Sequence, residues 1–203
     1  AFGCVAGALL TNYAIIPALG AELGFKLIWG LLLAAWGLLV FARRAQPLAL
    51  TRAARIVPIA GVALAALLGP WDRLELTSGF GVYFVGNVPR GAKLVSFRED
   101  EHTGFTTVVE APQPNQLLGR PNTLYLFNNG KFDADDNTQM PAQVGFGLLP
   151  AFFSTGRERA LVIGLGSGQT AATTLSMGYR QVDVCDLSPG NAEAARRWYG
   201  HIN

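Results

Sequence analysis

The sequence predicts α-helical membrane segments, then a small antiparallel β domain, then the start of a Rossmann-like α/β domain. Three observations carry this. Residues 1–71 hold long uncharged apolar runs, whereas every acid except Glu22 lies at Asp72 or beyond. Residues 72–137 break into short β-type runs separated by proline and Asn-Gly signals. Within 138–203 an apolar run enters Gly164-Leu165-Gly166-Ser167-Gly168, and an acid, Asp186, follows 22 positions after Gly164.

Half of the 203 residues are hydrophobic and only 15% are charged, a balance too apolar for an ordinary water-soluble chain. The excess is local. Residues 1–21, 27–42 and 56–71 carry no charge, and crossing the hydrocarbon takes roughly 17–25 apolar residues. The first run qualifies, and the second does with Gly24, Phe25 and the snorkelling stem of Lys26. The third, broken by Pro58, Gly61, Gly69 and Pro70, either spans a thin bilayer or lies at its surface with Trp71 at headgroup level. The connection holding Glu22 is expected between the first two spans. Gly3 and Gly7 form a small-xxx-small pair that lets a neighbouring helix approach. The chain starts with Ala1 and has no basic leader before its first apolar run, so a secretory signal is not expected and upstream helices are.

Arg43, Arg44, Arg52 and Arg55 fall between the second and third runs, so the positive-inside rule makes that connection cytoplasmic. If the third run crosses, the remainder of the chain emerges outside the cytoplasm; if it lies on the surface, the remainder stays inside. The cytoplasmic side is the expectation.

The β region reads as strands over 93–97, 104–110 and 123–127. Asn128-Asn129-Gly130 before Lys131-Phe132 is a hairpin signal, because its turn needs residues tolerant of positive φ. Pro112, Pro114 and Pro121 punctuate the link between strands. A helix is expected over 138–153, with Pro150 kinking or ending it.

The closing segment reads βαβα: a buried strand before Gly164, a helix over 168–177, a strand over 181–186, and a helix from Ser188-Pro189 through Tyr199. Glycines let a nucleoside approach the backbone where a helix begins, and a carboxylate at the end of the second strand suits ribose hydroxyls. Tight strand-to-helix turns also use glycine for steric reasons alone. A dinucleotide site needs G-x-G-x-x-G, and Gln169 stands at the third glycine, which makes NAD the runner-up. The G-x-G-x-G form with its acid looks instead like the site of class I S-adenosylmethionine-dependent enzymes.

Taken with the order of segments, the Asn-Gly-Lys hairpin, Gln-Met-Pro-Ala-Gln, Leu-Val-Ile-Gly-Leu-Gly-Ser-Gly and Val-Cys-Asp-Leu-Ser-Pro, the chain resembles the spermidine synthases, the polyamine aminopropyltransferases. More narrowly it is similar to bacterial members fused to a multi-span membrane domain, which implies a multi-pass inner-membrane protein. The resemblance covers residues 79–203. It implies transfer of an aminopropyl group from decarboxylated S-adenosylmethionine, as co-substrate, to an amine such as putrescine, without a metal. Gly164, Gly166, Ser167 and Gly168 then line the adenosyl site, with Ser167 where soluble members carry aspartate. Asp186 holds the ribose, Gln139 contacts the cofactor, and Gln143 contacts the amine. Soluble members place Tyr-His-Glu where Ala142-Gln143-Val144 stands. The catalytic aspartate is expected beyond Asn203, so the chain is expected to be an inactive internal fragment. A class I methyltransferase, or a non-catalytic nucleoside-sensing domain of a membrane transporter, are the alternatives.

The expected partners are a small-molecule amine, the lipid bilayer and a second copy in a homodimer. A net charge of +2 with no basic stripe gives no reason to expect nucleic acid. Cys4 and Cys185 read as reduced packing residues, and His102 and His201 as solvated. Residues 98–102 read as a mixed-charge loop, and Asp133, Asp135 and Asp136 as solvated acids rather than a polyamine attractor. Arg196 and Arg197 suit the end of the last helix.

Overall fold

The computed structural model describes residues 2–42, 56, 59–63, 67–77, 91–100 and 104–203. The chain divides into two compact units, Ala1–Trp71 and Asp72–Asn203. The arginine-bearing connection, Pro58, residues 79–90, Glu101 and His102 lie outside the described residues.

In the first unit, α1 (Phe2–Leu10) passes through a π-helical turn (Thr11–Ile15) into α2 (Ile16–Ala42). The stretch Phe2–Leu39 is long and apolar enough to cross a membrane, with mean hydropathy 1.6. It is not one straight rod. Gly20 has φ 77° and ψ 166°, outside the helical region, and a Cβ on Gly24 would sit 3.2 Å from Ile15 Cγ2. Nine residues of straight helix separate Cα atoms by about 13.5 Å, so the chain folds back at Gly20. Glu22 lies two residues past this reversal, at the start of the second helical run, and it pairs with Lys26 at 2.7 Å. Residues 59–63 are helical. A Cβ on Gly61 would meet Leu33 Cδ1 at 2.7 Å. Lys26 Nζ donates to the carbonyls of Leu68 and Gly69 at 3.3 and 3.1 Å, and the Phe25 and Trp71 rings meet edge to face, centroids 5.8 Å apart. Gly3 and Gly7 face open space.

The second unit opens with α3 (Arg73–Thr77), whose first turn is capped by Asp72 Oδ1 accepting from the Leu74 and Glu75 amides. An antiparallel sheet follows in the order β1 (Lys93–Asp100), β2 (Gly104–Ala111), β3 (Thr123–Asn128), β4 (Lys131–Asp135). Residues 98–100, expected in a loop, belong to β1. The β3–β4 hairpin turns on Asn129 and Gly130 at φ 52° and 74°, as the Asn-Gly pair predicts. Leu126 pairs with Ala134 and Phe127 with Phe132, which leaves Asp133 bulged out of the ladder.

The α/β part comprises α4 (Met140–Phe153), β5 (Arg159–Ile163), α5 (Gln169–Ser176), β6 (Gln181–Cys185) and α6 (Pro189–Trp198), with β5 and β6 parallel and in register from Arg159↔Gln181 to Ile163↔Cys185. Pro150 neither ends nor interrupts α4, which runs three residues further to Phe153. Gly147 seats α4 on α5, since a Cβ there would lie 2.7 Å from the Thr170 carbonyl and 2.9 Å from Thr173 Cβ.

The core joins the sheet to the last helix. Val108, Leu126 and Ala134 pack with Ala194 and Tyr199, flanked by Val95, Leu124, Trp198 and Ile202. The N-terminus of α6 is docked on the same sheet. Asp100 Oδ2 accepts from Ser188 Oγ and the Gly190 amide at 2.9 and 3.1 Å, a carboxylate placed at the positive end of a helix. Gly190 is obligatory there, because a Cβ would stand 2.5 Å from Thr106 Oγ1.

Candidate nucleoside site

The β5–α5 turn is built by Gly164, Gly166 and Gly168, at φ 88°, 53° and 89°. Residues with a Cβ rarely adopt these angles, so the local glycine spacing is a conformational requirement. Gly168 caps α5 in the left-handed conformation. The turn is then locked to the end of β6. Gly164 N–H donates to the Cys185 carbonyl at 2.7 Å, and Leu165 N–H donates to Asp186 Oδ2 at 2.6 Å.

Asp186 is the hinge of this arrangement. Its Oδ1 accepts from the Ser188 amide at 2.7 Å, and Asn191 Nδ2 approaches both oxygens at 3.4 and 3.3 Å. Asn191 is buried and its Oδ1 has no partner among the described residues. An ionised carboxylate offers about four lone-pair sites, so the two short backbone bonds leave capacity for sugar hydroxyls. The space fits such a ligand over part of the turn. A Cβ at Gly164 would meet nothing within 4 Å, and one at Gly166 only Asp133 Oδ2, at 3.5 Å. Over Gly168 the chain fills the space itself, with Asn203 Nδ2 2.6 Å from the Cβ position. Asn203 is held there by the Ser167 and Ala195 carbonyls, at 2.8 and 3.0 Å.

Ser167 is buried, and its hydroxyl donates to Gln143 Oε1 at 2.6 Å. The Gln143 carbonyl accepts from Thr170 Oγ1 at 3.0 Å. Two residues expected in the site, on different elements, therefore meet. Gln139 does not join them: it stands at the N-cap of α4, exposed, with its backbone amide donating to Asp135 Oδ1 at 2.7 Å.

Asp133 is the residue the sequence undervalues. The bulge in β4 aims it at Gly166, beside Asn128 Nδ2 at 3.1 Å. Desolvation by the surrounding atoms raises its pKa above the ordinary carboxylate range, with the negative Asp186 adding to the shift; Lys131 and the Asn128 hydrogen bond oppose it. Asp133 is itself exposed at the strand surface, as expected of a solvated acid, but its neighbours are not. Asp135 and Asp136 are each 1% exposed. Asp135 accepts from the Asn137 and Gln139 amides and from Thr138 Oγ1, fixing the entry to α4. Asp136 accepts from the Leu124 amide and pairs with His201 Nε2 at 3.0 Å, so His201 is a partner rather than a free surface residue. Burial and the acids at 136, 135 and 133 hold the Tyr199 phenol well above its usual pKa and hence neutral. Cys185 is exposed rather than a packing residue. Among the described residues no group of His, Cys, Asp and Glu is arranged to hold a metal.

No protein-family model matches the sequence, and no curated protein matches it. Solved structures similar to the chain include a spermidine synthase in complex with the transition-state analogue AdoDATO and the spermidine synthase from Thermotoga maritima. Each has a TM-score of 0.46 and 16% identity over 54% of this chain, and 35% and 36% of the respective neighbour is covered. The chain thus spans about a third of their length.

Proposed function

We propose that the second unit binds an adenine-bearing thioether or sulfonium compound over Gly164 and Gly166, as a spermidine synthase-like aminopropyltransferase carried on a membrane unit. The observation that supports this most is the Leu165 amide bonded to Asp186 at 2.6 Å, which brings the bare turn and the ribose-type acid to one place. Asp133 favours an aminopropyl donor, decarboxylated S-adenosylmethionine, over its carboxylated parent. A carboxylate at the turn attracts an ammonium or sulfonium and repels a ligand carboxylate.

In the proposed reaction the amine nitrogen forms a bond to the carbon beside the sulfonium, the C–S bond breaks, and its electron pair stays on sulfur as a neutral thioether. The ammonium product loses one proton to a base. The chain's own part is positioning: Asp186 orients the sugar, Asp133 holds the cationic end, and Ser167 with Gln143 fixes the start of α5.

A class I methyltransferase is the second reading, favoured by Ser167, which puts no charge where an acid would select against the carboxylated donor. Calorimetry on the full-length protein tests both. The proposal expects tighter binding of decarboxylated S-adenosylmethionine than of S-adenosylmethionine and at least tenfold loss in Asp186→Asn, with melting temperature measured as the folding control. Equal affinity for both ligands that persists in Asp133→Asn removes the aminopropyl reading. Affinity unchanged in Asp186→Asn removes the nucleoside site.

A further inference from the structure

We infer that the segment carrying residues 59–63 and 67–71 crosses the membrane antiparallel to the second half of α2, and that the chain therefore leaves it at Trp71 on the side opposite the arginine-bearing connection. The contacts fix the direction. As numbering rises in α2 from Phe25 and Lys26 to Leu33, the partners fall from Trp71, Gly69 and Leu68 to Gly61. Two helices meeting in this order run in opposite directions. Eight residues of α2 rise about 12 Å over this seam, so the contact is a lengthwise pairing rather than a crossing at one point.

Such a partner cannot lie flat at a membrane surface while α2 stands across the bilayer. The apolar belt supports the lipid setting: Trp29, Leu31, Leu32, Trp36 and Leu38 of α2 are 49%, 58%, 64%, 53% and 72% exposed within the unit. Lys26 at the seam's far end is matched to this role. It is neutralised by Glu22 and donates to the two carbonyls at 68 and 69, which satisfies backbone acceptors that lipid cannot.

Charge then sets the orientation. Residues 43–55 carry four arginines and no acid, whereas the Gly20 end of the bundle carries the Glu22–Lys26 pair, which sums to zero. The positive-inside rule retains the arginine connection in the cytoplasm, and Trp71 with everything after it follows outside. This is the reverse of the cytoplasmic placement expected from the sequence. On that side, ligands for the glycine turn come from outside the cytoplasm.

Accessibility of single cysteines in the full-length protein tests the inference independently of any ligand. In a Cys4→Ser background, Cys185 is expected to react with a membrane-impermeant maleimide in intact spheroplasts. A Thr51→Cys, Cys185→Ser variant is expected to react only after permeabilisation. Reaction of both positions from the same side shows that the segment does not cross and overturns the proposal; so does protection of Cys185 until permeabilisation. Proper folding of each variant is read from its melting temperature, and native Cys185 needs no introduced side chain.

Discussion

The two sheets of the second unit are built from similar residues and end in opposite states. In the antiparallel sheet Val108 and Leu126 are fully buried, whereas in the parallel pair Leu161 and Ile163 are 63% and 83% exposed. Hairpins let β2, β3 and β4 pair locally and present one face to α6. Parallel strands instead need crossover helices, and as a class they are covered on both faces. Here α5 packs on the parallel pair, while α6 packs on β1 and β2. The antiparallel sheet and α6 thus form the well-buried half of this unit, while the parallel pair carries the glycine turn and Asp186.

Truncating each sheet breaks or confirms that division. Leu126→Ala should cost about 2–5 kcal/mol in chemical denaturation, against less than about 0.5 kcal/mol for Ile163→Ser; comparable losses at both positions would erase the contrast. Gly147→Ala sits between, at about 1–3 kcal/mol, because the new methyl meets a backbone carbonyl that cannot step aside. Since that carbonyl opens α5, ligand affinity should fall along with stability. Ser188→Ala should cost about 1 kcal/mol through loss of the cap on the Asn191 amide and the link to Asp100. A null result would mean that the Gly190–Asp100 bond and the apolar core hold the sheet to α6 without the hydroxyl.

The smallest effect is the pH dependence of Asp133. Its folded pKa is raised, so the folded state binds the proton more tightly than the unfolded chain does. Stability therefore falls as pH rises from the ordinary aspartate pKa through the raised value, and is flat above it. Asp133→Asn should raise the melting temperature slightly near neutral pH and lose that advantage in acid; an equal shift at both pH values would remove the electrostatic account.

Much of this fold was legible because its signals are local. Asn129-Gly130 demands a hairpin, Ser188-Pro189 opens a helix, and the glycines with Asp186 mark two strand ends. Ser167 and Gln143 were each expected at one site, and the structure shows their contact. Other features depend on partners distant in the chain. Asp136 is buried against the Leu124 amide and His201, which no spacing rule links to it. Pro150 failed as a helix stop because its missing amide costs one hydrogen bond, which the packing of α4 against α5 outweighs.

The bulge in β4 has a consequence for anyone engineering the protein. Asp133 reaches the glycine turn because one extra residue lets it escape the ladder between Phe132 and Ala134. Deleting a single residue there would restore regular alternation along the strand and rotate the acid elsewhere. In the proposed site, charge is thus set partly by strand length, and a shortened hairpin moves the acid without substituting it.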